Sequence, residues 1–156
     1  MRRKIDPRSP ANSWRTPPDL FRLHMPYGAD VDAFATEENS LGRAFLRDAF
    51  AEQWRGHVWA NPPFDLCGEA VARAWHEWAV PYSAVETITM LLPANRTDRR
   101  WWQDLIEFRR DLVSGDLTTR FIGRVKFIRP DGRPGPAPPF GCVLLYWTRP
   151  EDSATI

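Results

Sequence analysis

The chain has 156 residues, of which 43% are hydrophobic and 26% charged, a composition typical of one globular domain rather than a disordered chain. Its formal net charge of +1 excludes a global attraction to nucleic acid or membranes, so such a surface requires local clusters of basic side chains. No apolar run has membrane-spanning length, and Met1-Arg2-Arg3-Lys4 lacks the apolar stretch of a signal peptide. We therefore expect a soluble, cytoplasmic protein.

The two cysteines, Cys67 and Cys142, are isolated in the sequence, with no CxxC pair and no histidine-rich spacing around them. This pattern favours reduced thiols over a disulfide or a metal site. The sequence therefore predicts no metal and no membrane partner.

The first segment, residues 1–13, is basic and polar, and it is interpreted either as a frayed terminus or as a flexible arm that contacts phosphates. Thr16 and Pro17 then have the pattern of an N-cap and a first helical residue, which predicts a short helix ending near Gly28. The pattern is explained by a capped helix alone. The alternative is that the free N–H groups at this helix start bind a carboxylate, such as that of a cofactor's amino-acid part.

Residues 29–35 predict a buried strand that carries Asp32 near its carboxyl end. The pair Asp30 and Asp32 is a possible metal motif, but no histidine or acidic partner follows at metal-ligand spacing. A carboxylate in this position more often binds a ribose or an amine, or is a buried hydrogen-bonded acid. Residues 37–54 are predicted to form a helix, with Leu41, Phe45, Leu46 and Phe50 on its apolar side.

The stretch Val58–Phe64 carries the most specific chemistry. A short apolar strand runs into Asn61-Pro62-Pro63-Phe64, and the two prolines end it because they cannot donate ladder hydrogen bonds. The Asn61 side-chain oxygen and the Pro62 carbonyl can accept both hydrogens of a planar amine, while Phe64 stacks on its ring. Positioning and electrostatics suffice for such a step without a tuned general base. The alternative is a turn that only ends a strand.

Further along the chain, residues 67–79 predict an amphipathic helix, and residues 87–93 a central strand that is apolar on both faces. Thr97-Asp98 is predicted to cap a helix over residues 99–110, and Arg96, Arg99 and Arg100 near its start form a solvated face or a phosphate-contacting edge. Residues 120–128 and 140–147 predict an antiparallel pair at the sheet edge. The fold class is α/β, with helices on both faces of the sheet and a C-terminal antiparallel β-hairpin.

The order of these motifs resembles the phage-type (Dam-like) DNA N6-adenine methyltransferases from about Trp14 to Trp147. The resemblance rests on Trp-x-Thr-Pro, Asp-Val-Asp-Ala-Phe-Ala with Glu-Asn, Val-Trp-Ala-Asn-Pro-Pro-Phe, Met-Leu-Leu-Pro-Ala, Gly-Arg-Val-Lys-Phe and Pro-Phe-Gly-Cys. It implies a single Rossmann-like methyltransferase domain over residues 14–148, followed by a polar tail over residues 149–156. A phage-encoded chain would act in the cytoplasm of the host cell.

The resemblance also implies S-adenosylmethionine as cofactor and double-stranded DNA as partner, with the methyl group going to a flipped-out adenine. The implied catalytic residues are Asn61, Pro62, Pro63 and Phe64. The implied cofactor-binding residues are Thr16, Pro17, Asp32, Ala35 and Asn39, and the basic residues Arg96, Arg99, Arg100 and Arg124 are expected to contact DNA.

Two departures from the family pattern matter. Phe64 stands where tyrosine is more usual, and the glycine-rich cofactor loop of larger methyltransferases is absent. Two alternatives stay open. The first keeps the cofactor and changes the acceptor to a cytosine N4 amine, an RNA adenine or a protein glutamine. The second is a non-catalytic accessory protein that binds nucleic acid. The sequence predicts neither the recognition sequence nor the oligomeric state.

Overall fold

A computed structural model describes residues 14–150, so the predicted basic arm and most of the predicted tail lie outside the described residues. Six strands of this part form one mixed sheet: β1 (Ala29–Asp32), β2 (Gly42–Phe45), β3 (Gly56–Ala60), β4 (Val85–Pro93), β5 (Leu117–Ile122) and β6 (Cys142–Thr148). Their order across the sheet is β2-β1-β3-β4-β6-β5. The first four strands in this order pair in parallel with one another, and β6 is antiparallel to both β4 and β5.

The helices are α1 (Pro18–His24), α2 (Cys67–Ala79) and α3 (Arg100–Trp102), which continues as a π-helical turn over Gln103–Glu107. A 3₁₀ turn over Phe64–Leu66 leads into α2. Phe21 of α1 packs in one core cluster with Trp59 and Leu91, whereas α2 and α3 contribute to the other cluster. Helices therefore cover both faces of the sheet, and the predicted α/β class is confirmed.

Strand β4 explains why helices must cover both faces of the sheet. Ile88, Met90 and Leu92 belong to the cluster under α2, and Leu91 belongs to the cluster under α1. Alternate side chains of one strand point to opposite faces, so a strand that is apolar throughout must be buried on both. The predictions of the central strand and of α2 over residues 67–79 are both confirmed.

The predicted helix over residues 37–54 is wrong, because no residue in that range is helical and Gly42–Phe45 forms β2 instead. The apolar spacing of Leu41, Phe45 and Phe50 fits a helix, but pairing with β1 determines the conformation. That pairing brings Gly42 so close to β1 that a Cβ atom there would lie 2.7 Å from the Asp32 backbone nitrogen. Strand pairing has overridden local periodicity.

Three predicted boundaries also need correction. Helix α1 begins at Pro18 without a side-chain cap, because its N-cap position is Pro17 and not Thr16, whose hydroxyl accepts from Asn61 instead. Helix α3 begins at Arg100, not Arg99, and no side chain caps it. Strand β5 ends at Ile122, so the alternation from Val125 onward belongs to a loop that turns two side chains inward. The predicted antiparallel pairing of the last two strands is confirmed, with β5 as the edge strand.

The parallel half of the sheet determines where a site can form. Asp32, the last residue of β1, pairs with Trp59 of β3, so the carboxyl ends of these two strands lie side by side. The chain leaves the sheet at both strand ends. After β1 it continues into residues 33–41, and after β3 it continues into Asn61-Pro62-Pro63. Ligands of open α/β sheets bind at such an edge, outside the carboxyl ends of the strands.

Candidate functional site

A cavity of about 570 Å³ lies at the carboxyl ends of β1 and β3. Three stretches of chain supply most of its wall: the segment before α1, the connection from β1 to β2, and the turn after β3. The loop between β5 and β6 closes the remaining side. The lining residues are Trp14, Arg15, Thr16, Asp32, Phe34, Ala35, Asn39, Leu41, Trp59, Asn61, Pro62, Pro63, Phe64, Asp65, Phe127, Pro136 and Pro138.

The turn after β3 is rigid. Pro62 and Pro63 are buried, and the Pro63 carbonyl accepts a hydrogen bond of 2.9 Å from the Leu66 N–H, which closes the 3₁₀ turn. The Cys67 thiol, 3.3 Å from the Phe64 carbonyl oxygen, packs beneath the turn. Burial raises the pKa of Cys67 to about 12, so this thiol stays neutral and is not a nucleophile. The turn therefore presents Asn61 and Phe64 from a fixed backbone.

The amide of Asn61 is held by a hydrogen bond. Its Nδ2 atom donates a hydrogen bond of 3.0 Å to the hydroxyl oxygen of Thr16, a residue only 5% exposed. The backbone of the preceding Arg15 exchanges two hydrogen bonds, each 2.9 Å, with Ile128. Thr16 is therefore held from two sides, and the Asn61 Oδ1 atom is the part of the amide left to accept a hydrogen bond.

Asp32 is a buried carboxyl group on the cavity wall, 5% exposed. Its Oδ2 atom accepts a hydrogen bond of 2.9 Å from the Leu41 N–H. Burial raises the pKa of Asp32 to about 7, and the hydrogen bond from Leu41 offsets part of that rise. Within residues 14–150 no cation forms an ion pair with this carboxylate. A cationic ligand group in the cavity would therefore stabilise its charged form.

The connection after β1 forms the wall next to Asp32. Ala33, Phe34 and Ala35 are buried, and the Asn39 side-chain oxygen accepts hydrogen bonds from the backbone N–H and the hydroxyl of Thr36. Asn39 thus holds a tight turn at the cavity wall.

Aromatic rings form the opposite side. Phe64 contacts Phe127 and Phe140 edge to face, with ring centroids 6.1 and 5.8 Å apart. Such pairs contribute about 0.5–1.5 kcal/mol beyond the area they bury. Phe64 remains partly exposed, so the two neighbours hold its ring while part of it still faces the cavity.

The structure brings eight of the nine predicted catalytic and cofactor residues to this cavity. The exception, Pro17, lies just before α1 and is not among the lining residues. The lining residues Trp14, Phe127, Pro136 and Pro138 were not predicted. They come from loops far apart in the chain, and the signals for them were the Trp-x-Thr-Pro motif, which begins at Trp14, and the Gly-Arg-Val-Lys-Phe motif, which ends at Phe127.

None of the four arginines predicted to contact DNA lines the cavity. Arg99, Arg100 and Arg124 are exposed, and Arg100 pairs with Asp104 at 3.4 Å. Arg96 lies near the Cys67 thiol, whose pKa its charge lowers slightly, and its Nε atom is buried without a hydrogen-bond partner in the described part of the chain. Their contact with DNA stays a prediction.

Within the described range, 14–150, no group of three or more His, Cys, Asp or Glu side chains has the arrangement of a metal site. No helix in that range is long and apolar enough to cross a membrane.

A solved structure of a protein named as an RNA methyltransferase from Pyrococcus horikoshii is similar to this chain, with 12% sequence identity and a TM-score of 0.38. The similarity covers 86% of this chain and 57% of the other, so the chain spans little more than half of that structure's length. No curated protein matches the chain significantly in sequence. The family model described as DNA N-6-adenine-methyltransferase (Dam) matches residues 6–153, which is nearly the whole chain. The predicted family is thereby confirmed, and the chain belongs to the Dam family of DNA N-6-adenine methyltransferases.

Proposed function

We propose that this chain transfers a methyl group from S-adenosylmethionine to the N6 amine of an adenine in double-stranded DNA, at the cavity beside β1 and β3. The observation that carries the proposal is the hydrogen bond of 3.0 Å from the Asn61 amide to Thr16. It leaves the Asn61 carbonyl oxygen as an acceptor, next to the Pro62 carbonyl and the Phe64 ring.

The acceptor chemistry explains why an oxygen is needed at this position. An exocyclic amine is a weak nucleophile because its lone pair is delocalised into the ring. When the Asn61 Oδ1 atom and the Pro62 carbonyl accept its two N–H bonds, the nitrogen becomes more tetrahedral and its lone pair is freed. A reversed amide would present N–H donors to an amine that has only donors to offer. A hydroxyl group can donate as well as accept, so the Thr16 contact selects the productive orientation when the Thr16 hydrogen is itself donated to the ligand.

Phe64 would hold the base. Stacking of a base on an aromatic ring contributes roughly 1–3 kcal/mol, which offsets much of the few kcal/mol needed to turn the base out of the duplex. The edge contacts from Phe127 and Phe140 keep the Phe64 ring in one orientation. Because phenylalanine lacks a hydroxyl group, the ring supplies stacking alone.

The cofactor half of the cavity fits S-adenosylmethionine in size and charge. The volume of about 570 Å³ lies within the range of roughly 300–1,000 Å³ usual for ligand pockets. When bound, this cofactor supplies an electrophilic methyl group on a cationic sulfur. Asp32, a buried acid without an ion-pair partner in residues 14–150, would bind the cationic amino group of the ligand. Buried charges are costly unless paired, so the ligand and the carboxylate stabilise each other.

The other cofactor residues have supporting tasks. Ala35 leaves room at the wall, Asn39 holds the turn that starts at Thr36, and Pro17 directs the chain from Thr16 into α1. The hydroxyl of Thr16 accepts from Asn61 and still has its own hydrogen to donate toward the ligand.

Other acceptors would use the same amide. A cytosine N4 amine, an RNA adenine and a protein glutamine all present two N–H bonds on a planar nitrogen. Family membership favours adenine in DNA. A non-catalytic accessory protein would need neither the oriented amide nor the buried acid, so the cavity favours an enzyme.

The test is tritium transfer from labelled S-adenosylmethionine to unmethylated duplex DNA, with nucleoside analysis of the product. We expect labelled N6-methyladenine from the wild type and a loss of about 10²-fold or more from Asn61→Ala, comparable to the loss of one transition-state hydrogen bond. The matched control is Asn95→Ala, since Asn95 is exposed and lies outside the cavity. Label in RNA or in protein glutamine, with none in DNA, would move the proposal to that acceptor. Equal activity of wild type and Asn61→Ala would refute the catalytic assignment.

A further inference from the structure

A surface beside the cavity is built from two segments that are far apart in the sequence. Arg15 and Ile128 exchange backbone hydrogen bonds, and the Gly135 N–H donates to the Phe127 carbonyl at 2.9 Å. The segment before α1 and the hairpin-like loop over residues 127–135 therefore form one unit. Since Arg15 and Phe127 both line the cavity, this unit borders the acceptor side of the site.

Trp14 is the aromatic part of this surface. It lines the cavity and remains 36% exposed, one of the few large apolar side chains that do so. The Arg129 guanidinium carbon lies 6.0 Å from the centroid of its ring. A Cβ atom at Gly135 would overlap the indole, so only glycine lets the ring lie against the loop. An indole held beside an arginine at a cavity edge suits the flat ring of a nucleobase.

The cationic part consists of Arg15, Lys126 and Arg129, which are all exposed. None of the three forms an ion pair with another residue in the range 14–150. The nearby acid Asp131 is paired with Arg133 at 2.9 Å, and Asp65 is the one exposed acid among the cavity-lining residues. Hydrogen bonds from Arg133 lower the pKa of Asp131 and the Arg129 charge helps, but no ion pair within residues 14–150 neutralises any of the three cations. Three such cations around an exposed indole favour a polyanion that also carries aromatic rings.

Resting on the proposed function for the reaction itself, we propose that the rim surface, defined as Trp14, Arg15, Lys126 and Arg129, binds the DNA strand that carries the target adenine. The three cations contact phosphates on either side of the turned-out nucleotide, and Trp14 stacks on a neighbouring base. Phosphate contacts position the duplex without specifying sequence. This assigns DNA binding to the rim, where Lys126 adjoins the lining residue Phe127 and Arg129 lies over the Trp14 ring, and not to Arg99 and Arg100.

Salt dependence of binding separates the two surfaces. The probe is a fluorescein-labelled DNA duplex with one adenine opposite an abasic site, followed by anisotropy across a range of salt concentrations. For Lys126→Ala/Arg129→Ala we expect the slope of log K against log salt to fall in magnitude by about 1.8, since each phosphate contact contributes about 0.9. The control with the same loss of charge is Arg99→Ala/Arg100→Ala, which should keep the wild-type slope.

The indole is tested in the same assay. Trp14→Leu should weaken binding by about fivefold to 100-fold, as loss of one base–aromatic stack predicts, and Trp14→Phe should retain most of the affinity. Thermal unfolding of each variant checks that its fold is intact. An equal change of slope in both double variants, or a change in the arginine control alone, would overturn the proposal. So would tighter binding of a matched RNA duplex, or no binding of the DNA duplex by the wild type.

Methyl transfer to the same duplex is measured separately. If no label enters DNA while only the rim variants lose the salt slope, the proposed function fails and the rim still binds DNA. If label enters DNA but the rim variants bind like the wild type, the proposed function stands and the rim assignment fails.

Discussion

In the proposed reaction the acceptor amine contacts the Asn61 amide, which has one side that accepts hydrogen bonds and one that donates. The Thr16 hydroxyl contacts the donor side of Asn61, and it distinguishes the two sides when its own hydrogen is donated to the ligand. Thr16→Val keeps the shape and removes the acceptor, so the amide can rotate into the unproductive orientation. We expect the single-turnover rate to fall by about tenfold, and Thr16→Ser to restore most of it. A higher KM for S-adenosylmethionine with an unchanged rate would instead make Thr16 a cofactor contact alone.

Asp32 makes ligand binding depend on pH. Burial raises its pKa to about 7 in the free protein, so the carboxyl group is mostly neutral below that pH and ionised above it. A cationic amino group binds the ionised form more tightly. The affinity for sinefungin, an amine-bearing analogue of the cofactor, should therefore rise as the pH increases through 7. Asp32→Asn should bind more weakly and without this rise. Calorimetric titrations on both sides of pH 7 measure it, and parallel profiles of the two proteins would contradict the assignment.

At the scale of elements, α2 packs closely against α3 just after the turn over Asn61–Phe64. Gly68 is the second residue of α2, and a Cβ atom there would lie 2.9 Å from Cγ and Cδ1 of the Trp101 ring. Gly68→Ala should therefore lower the free energy of unfolding by about 1–3 kcal/mol, the usual cost of overpacking, although alanine favours helix. Denaturant unfolding measures the change, with Ala72→Gly on the exposed side of α2 as a control for propensity alone. A gain in stability would mean that Trp101 moves aside freely.

The same scale explains how much of the fold the sequence predicts. Helix α2 was predictable because its buried residues recur with the helical period of 3.6. Strand β4 was predictable because its apolar residues form one continuous run. Strand β2 was not, because its conformation depends on pairing with β1, and a four-residue edge strand has little periodicity of its own. Val125 and Phe127 alternate like a strand, yet they serve as inward-facing residues of a loop.

The residues of the site also fall into a group that the sequence predicts and a group that it does not. The proposed catalytic residues are contiguous in the sequence, as Asn61, Pro62, Pro63 and Phe64. Their chemistry can therefore be predicted before the fold is known. Trp14 and Phe127 reach the same cavity because the backbones of Arg15 and Ile128 pair, a contact between residues more than a hundred positions apart. Side chains that converge through such long-range pairing leave no local pattern.

At the scale of the whole molecule, the two halves of the site rest on strands of unequal stability. Strand β3 lies between two parallel neighbours, and Val58, Trp59 and Ala60 are fully buried. Strand β2 is at the sheet edge, pairs only with β1 and has no buried residue. The turn over Asn61–Phe64, called the catalytic turn for its proposed role, thus leaves a buried internal strand. The segment over residues 33–41, called the cofactor wall for its proposed role, leads into an edge strand with no buried residue.

Hydrogen exchange should reveal this difference directly, because local opening follows burial and hydrogen bonding. In the free protein we expect amides of β3 and β4 to exchange only through global unfolding, and those of residues 33–45 to exchange through local opening at lower free energy. S-adenosylhomocysteine should then raise protection mainly in residues 33–45, since a ligand that binds Asp32 and the adjoining wall opposes their opening. In Asp32→Asn, the same ligand concentration should protect this segment less. A uniform increase across the sheet would show instead that the cofactor wall opens only together with β3, as one cooperative unit with the catalytic turn.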